Sequence, residues 1–205
     1  MAQVLLYNLN MPAESKHDWP PKRKLKRIGM IARWRPVHLG QTPVLRGLCE
    51  RAEEALIGIG SANRYNLRNP FTLQETIEMI DITLAGYRNY TLLPVPDLDD
   101  GPRWREMVLD IFGELDLFLT ANPYVASLLD QDYNIAHPVS LVLQEDRIPL
   151  EGTMVRKAMA QGDAWQEMVS PEIAAYISAN QLDERFRREF GLEALAVDTI
   201  IERKK

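Results

Sequence analysis

Residues 27–55 constrain the fold more than any other stretch of this chain, because they read as a strand, a tight loop and a helix in immediate succession. The run Arg27-Ile28-Gly29-Met30-Ile31-Ala32 is short and apolar, the pattern of a strand buried in a parallel sheet. Thr42 followed by Pro43 predicts a helix capped by Thr42 with Pro43 at its first position, where the missing proline N–H would be unpaired anyway. Leu45, Leu48, Ala52 and Ala55 then recur at helical spacing along one face. A unit of this kind, complete within about 30 residues, aims free helix N–H groups and the positive dipole end at an anion. His38 and Gly40 sit at that junction.

The alternation continues along the chain. Residues 55–61 read as a second buried strand, with glycines where backbone or ligand can approach closely. Thr72-Leu73-Gln74-Glu75 is a capping-box pattern, and Leu73, Ile77, Ile80 and Leu84 share a face behind it. A third strand is expected over 90–95, followed by a helical stripe of Trp104, Met107, Val108, Ile111 and Phe112. A fourth strand is expected over 115–120, a short helix from Asn122-Pro123 to Leu129, and a weaker fifth strand over 139–143. Ser170-Pro171-Glu172 opens another helix, and 182–190 forms a last one. Helices alternating with short apolar strands predict an α/β fold: a doubly wound, mostly parallel, Rossmann-like sheet of about five strands flanked by helices. Ligands of such sheets bind at the carboxyl ends of the strands.

With 205 residues, 46% of them hydrophobic, the chain can bury one good core. The expected division is an N-terminal extension over 1–26, one domain over 27–190 and a C-terminal tail over 191–205. Pro12, Pro20 and Pro21 break any regular element in the extension, and five of the six residues at 22–27 are basic. Such a block reads as a solvated arm. The alternative is that part of it folds over a phosphate-bearing ligand or an acidic partner.

A formal net charge of −5 offers no bulk attraction to nucleic acid, so no nucleic-acid partner is expected. The single cysteine, Cys49, forms no internal disulfide, which favours a cytoplasmic location. No apolar run approaches the roughly 18–20 residues that cross a bilayer, and the run at 4–7 is too short for a signal peptide, so no membrane association is expected. The three histidines, His17, His38 and His137, show no metal-ligand spacing with Cys49, and no metal ligands are assigned among the protein side chains. Cys49 reads as a core residue and His137 as a loop residue. There is no Walker pattern.

Several ordered motifs carry a resemblance. They are Arg33-x-x-Pro36-Val37-His38-x-Gly40, Ile57-Gly58-Ile59-Gly60-Ser61-Ala62, Asn69-Pro70-Phe71-Thr72, Val95-Pro96-Asp97 with Trp104 seven residues on, Asn122-Pro123, and Gly152-Thr153-Met154-Val155-Arg156. From about Ile28 to about Phe190 the chain resembles the archaeal-type nicotinamide mononucleotide adenylyltransferases of the H-x-G-H nucleotidyltransferase superfamily. The resemblance implies transfer of AMP from ATP to nicotinamide mononucleotide, giving NAD and pyrophosphate, with Mg²⁺ accompanying the ATP and a homo-oligomeric assembly. It places His38, Gln41 and Arg156 at the chemistry. Arg33, Arg35, Gly40, Asn122, Thr153 and Arg156 are then expected around the ATP phosphates, and Ser61, Asp97 and Trp104 around the acceptor nucleotide.

The chain also departs from the family pattern. Gln41 stands where the second motif histidine is usual, and an amide donates a hydrogen bond but carries no charge. Arg35 replaces a usual glutamine and either compensates for Gln41 or points to solvent. Glu151 replaces a small hydroxyl residue, Gly101 an asparagine and Thr76 an arginine. Two other functions therefore stay open: a catalytically weak nucleotide-binding or regulatory homologue, and a sibling adenylyl- or cytidylyltransferase with another phosphorylated acceptor.

Overall fold

A computed structural model describes residues 24–202, with side chains through 196. Of the arm expected over 1–26, residues 1–23 lie outside the described residues, and Leu25 and Lys26 belong to the first strand.

Five strands form one all-parallel sheet: β1 (Leu25–Ala32), β2 (Ala52–Gly60), β3 (Tyr90–Val95), β4 (Leu117–Leu119) and β5 (Ile135–Ala136), in the order β3-β2-β1-β4-β5. Helices α1 (Thr42–Arg51), α2 (Leu73–Thr83), α3 (Gly101–Phe112) and α4 (Pro123–Leu129) follow the first four strands in turn. Helices α5 (Gly152–Gln161), α6 (Pro171–Ala179) and α7 (Leu182–Glu202) close the chain. The chain first winds outward through β2 and β3, then crosses back to place β4 on the other side of β1. The β1–β4 boundary is therefore the point where the winding direction reverses, and a crevice opens at the carboxyl ends of those strands.

The strands alternate between two cores. Ile28, Met30, Ala55, Ile57 and Ile59 face α1, α2, α5, α6 and α7, while Leu56 and Phe118 face α3 and α4. A strand buried on both faces reads as a continuous apolar run, which is what residues 52–60 present. Phe112 of α3 packs so closely on the second face that a Cβ at Gly58 would lie 2.9 Å from its ring. Gly58 permits that contact.

Three local expectations are corrected. The residue preceding α1 is Gln41, not Thr42, and no side chain caps the helix. Instead the His38 carbonyl accepts from the N–H groups of both Gln41 (2.8 Å) and Thr42 (3.1 Å), so a backbone turn feeds straight into the helix. Ala52 and Ala55 belong to β2 rather than to the face of α1, because the helix passes into the strand with no connecting loop. The apolar run over 139–143 is not a strand: Pro138–Leu141 form a 3-10 turn that buries Leu141 against α1, and the fifth strand is the two-residue β5 before it. Proline at 138 removes the N–H that a ladder there would need.

Other readings match. The Thr72–Glu75 capping box is complete, Asn122 and Ser170 cap α4 and α6, and β3 spans the predicted residues. β1 starts at Leu25, just before the drawn boundary at 27, and α7 runs unbroken across the one at 190.

Candidate active site

The loop between β1 and α1 is held by two buried apolar side chains, Trp34 and Val37. Trp34 donates its indole N–H to the Gly58 carbonyl at 2.9 Å, tying the loop across to β2. Its backbone sits at φ 55°, the left-handed region that bulky residues avoid, and the buried ring with its hydrogen bond holds it there. Between and beyond these anchors the loop presents Arg33, Arg35, His38, Gly40 and Gln41.

His38 is only 5% exposed and its Nδ1 has no hydrogen-bond partner among the described residues. Burial, and then the charge of Arg156, pull its pKa down to about 4, so its imidazole is neutral at pH 7. Gly40 lies under the segment before α5. A Cβ there would sit 2.9 Å from the Ile148 carbonyl oxygen and 3.0 Å from that of Leu150. Gln41 is half-buried, and its Oε1 has no partner among the described residues.

The first turn of α5 faces this loop. Arg156 donates to the Arg35 carbonyl at 2.9 Å and to the Thr153 hydroxyl at 3.2 Å. Burial, with the neighbouring charges of Arg33 and Arg68, brings its pKa down to about 10, which leaves it protonated at neutral pH. Glu151 precedes the helix with an exposed side chain that makes no capping bond.

Arg35 is 2% exposed, so it does not point to solvent. Its guanidinium donates to the Thr76 hydroxyl (3.2 Å) and to the carbonyls of Ser61 (3.1 Å) and Arg64 (3.4 Å), not to Gln41. Arg35 and Thr76, both read from the sequence as departing from the resembled pattern, thus touch each other. On the same side, Asp97 exchanges two hydrogen bonds with Asn63, at 2.8 and 2.9 Å, and lies 3.7 Å from Arg64, which also pairs with Asp99. Trp104 projects from α3, half-buried. Ser61 adopts φ 54° at the end of β2. Asn122 spends its side-chain carbonyl on the N–H of Tyr124, capping α4. The Tyr124 hydroxyl crowds the place that a side chain at Gly101 would take.

All eleven residues selected from the sequence line one cleft of about 1340 Å³ at the carboxyl edge of the sheet. Sequence reasoning missed Arg68 and Thr120, which also line it, and took His137 for a plain loop residue although it does too. His137 accepts from the Val139 N–H through Nδ1, at 3.3 Å. Arg68 immediately precedes the Asn69-Pro70 motif, a signal that could have found it. Among the described residues no group of three or more His, Cys, Asp or Glu is placed to hold a metal ion. No helix among them is long and apolar enough to cross a membrane.

A parallel sheet with a cationic cleft at its topological switch point, walled by a strand–loop–helix junction and a helix N-terminus, defines a nucleotide-binding α/β protein. No protein-family model matches the sequence. The nicotinamide-nucleotide adenylyltransferase of Thermococcus onnurineus is 33% identical over 172 residues, 82% of this chain and 88% of that protein. Those of Methanococcus maripaludis strain C6 and Methanocorpusculum labreanum are 31% and 32% identical, over 79% and 80% of this chain and 94% and 97% of theirs. The chain belongs to the nicotinamide-nucleotide adenylyltransferase family.

Solved structures agree on the fold. A bifunctional NMN adenylyltransferase/ADP ribose pyrophosphatase from Francisella tularensis matches with TM-score 0.64 at 17% identity, over 88% of this chain. The chain spans only 55% of that protein. A putative nicotinate-nucleotide adenylyltransferase from Vibrio parahaemolyticus matches with TM-score 0.53 at 15% identity, over 79% of this chain and 96% of that one.

Proposed function

We propose that this protein transfers the adenylyl group of ATP to nicotinamide mononucleotide, forming NAD and releasing pyrophosphate. The observation that carries the reading is the convergence in one cleft of both phosphate motifs, Arg33 to Gln41 and Thr153 to Arg156, with the Asp97–Trp104 pair. The attacking phosphate oxygen is already anionic, so no covalent nucleophile is needed, and catalysis rests on positioning and charge stabilisation. His38, neutral, donates one hydrogen bond to the α-phosphate. Arg156 supplies the charge there, and its fork with the Thr153 hydroxyl suits the departing pyrophosphate. Asp97 and Trp104 hold the acceptor, the indole by stacking on its pyridine ring. Gln41 contributes an amide donor beside the same phosphates.

A divalent cation, Mg²⁺ in our reading, arrives with the ATP phosphates. It supplies charge neutralisation to the triphosphate. The remaining parts of the reading are a cytoplasmic homo-oligomer with no nucleic-acid or membrane partner and a single transferase domain over about 27–190.

The test is pyrophosphate release with ATP and a panel of phosphorylated acceptors. Release specific to nicotinamide mononucleotide, with NAD as product, is the expected result. Release with a different acceptor identifies a sibling transferase, and nucleotide binding without turnover identifies a weak homologue.

A further inference from the structure

We propose that Arg185 on α7 is a positioning residue for the acceptor nucleotide, acting through the loop that joins β2 to α2. This rests on the adenylyl-transfer reading given above and adds to it a residue far from the chemistry. Arg185 grips Glu75 with both prongs of its guanidinium, at 2.6 and 2.7 Å, and donates to the Pro70 carbonyl at 3.1 Å. Its guanidinium also lies 5.9 Å from the centre of the Tyr65 ring. Tyr65 in turn donates to Glu189 at 2.5 Å and meets Phe190 edge-on, with ring centres 5.4 Å apart. Helix α7 therefore clasps residues 65–75 at both ends of the segment and from above.

What that segment carries explains the consequence. Just before it, Asn63 exchanges two hydrogen bonds with the backbone of Asp97, and Arg64 bridges toward Asp97 and Asp99. Nothing else in the β2–α2 connection is a regular element: residues 61–72 form turns and an isolated bridge between Asn66 and Asn69. A connection of that length fluctuates unless its middle is pinned. Arg35 holds its first half through the Ser61 and Arg64 carbonyls, and Arg185, 110 residues away in sequence from Glu75, is the polar pin of its second half. Helix α7 meets α5, which carries Thr153 and Arg156, through apolar side chains such as Phe186, Val155 and Met159 rather than through Arg185. Loosening the pin should therefore disturb the acceptor side most, and the ATP side only to the smaller extent that Arg68, exposed on the same segment, acts there.

The experiment compares wild type, Arg185→Ala, Arg185→Lys and Glu75→Gln in steady-state kinetics and in hydrogen exchange of the free protein. Expected for Arg185→Ala are a KM for nicotinamide mononucleotide raised about tenfold, a KM for ATP within about twofold of wild type, and faster amide exchange across 62–71. Lysine, which keeps the charge but loses the fork, should restore part of the KM. Glu75→Gln keeps a residue able to complete the capping box and weakens the same clasp, so it decides the matter if Arg185→Ala does not fold. Equal rises in both KM values, a lower Tm with both KM values unchanged, or unaltered exchange over 62–71 would each overturn the proposal. If wild type forms no NAD, the adenylyl-transfer reading falls on its own account, while the exchange comparison still decides whether α7 pins the loop.

Discussion

His38 illustrates how burial selects the chemistry a side chain can offer. Its pKa near 4 in the folded protein lies well below the ordinary 6.5, with burial the larger cause and Arg156 the second. Between these values the unfolded chain binds the proton and the folded chain does not, so stability falls as pH drops from 6.5 toward 4; below about 4 both are protonated and the loss stops growing. The full contribution is about 3 kcal/mol. Urea unfolding of wild type and His38→Gln between pH 7 and 4 reads it as a difference, since carboxylates titrating in the same window are common to both. The wild type should lose more stability than the variant, and matching profiles would refute the burial argument. Gln41 invites the complementary change. Its amide donates but cannot become cationic, so Gln41→His should raise kcat for NAD formation about tenfold, less than the 10²–10³ typical for a wholly missing donor. A kcat that stays level or drops would mean that the loop already works with an amide.

At the scale of elements, the loop between β1 and α1 depends on how closely the segment before α5 approaches it. Ile148 and Leu150 present backbone carbonyls to Gly40, and backbone yields less readily than a side-chain tip. Gly40→Ala should cost about 1–3 kcal/mol of stability, measurable by urea unfolding, and raise the KM for ATP as residues 148–151 are pushed away from the cleft. An alanine variant with wild-type stability and KM would show that this segment moves freely. The elements themselves were largely legible: the capping box at Thr72, the proline-led caps at Asn122 and Ser170, and the strand over 90–95 each follow from local chemistry. Failures came where tertiary context outweighed local pattern. Thr42 looked like a cap because Thr-Pro usually is one, but a turn at His38 already satisfied the helix. The run 139–143 looked like a strand because buried apolar residues do, although Pro138 and packing against α1 turn it into a 3-10 segment. Arg35 could be read as cleft-facing or solvent-facing, since its partners Ser61, Arg64 and Thr76 lie 26 to 41 residues away and no spacing rule links them.

For the molecule as a whole, charge is distributed against its sum. The chain carries a net −5, yet Arg33, Arg35, Arg68 and Arg156 line one cleft. An anionic nucleotide approaching from far away meets a weakly repulsive body, and only within the cleft does the arginine field dominate; low-dielectric walls concentrate that field. Two of these cations are costly to remove, because Arg35 and Arg156 bond to backbone carbonyls that would be left without them. Arg68 is exposed, its charge contributes to the lowered pKa of Arg156, and its loss leaves no buried partner stranded. Arg68→Gln should therefore leave Tm within the small range usual for surface substitutions while raising the KM for ATP at low salt. Salt separates this field from direct contact. Between about 20 and 300 mM NaCl the screening length falls from roughly 20 Å to under 10 Å, so the wild-type KM should climb steeply. The variant, with one cleft charge fewer, should climb less. Parallel salt profiles for the two proteins would mean that Arg68 takes no part in drawing the nucleotide in, and that the cleft's attraction for anions rests on Arg33, Arg35 and Arg156.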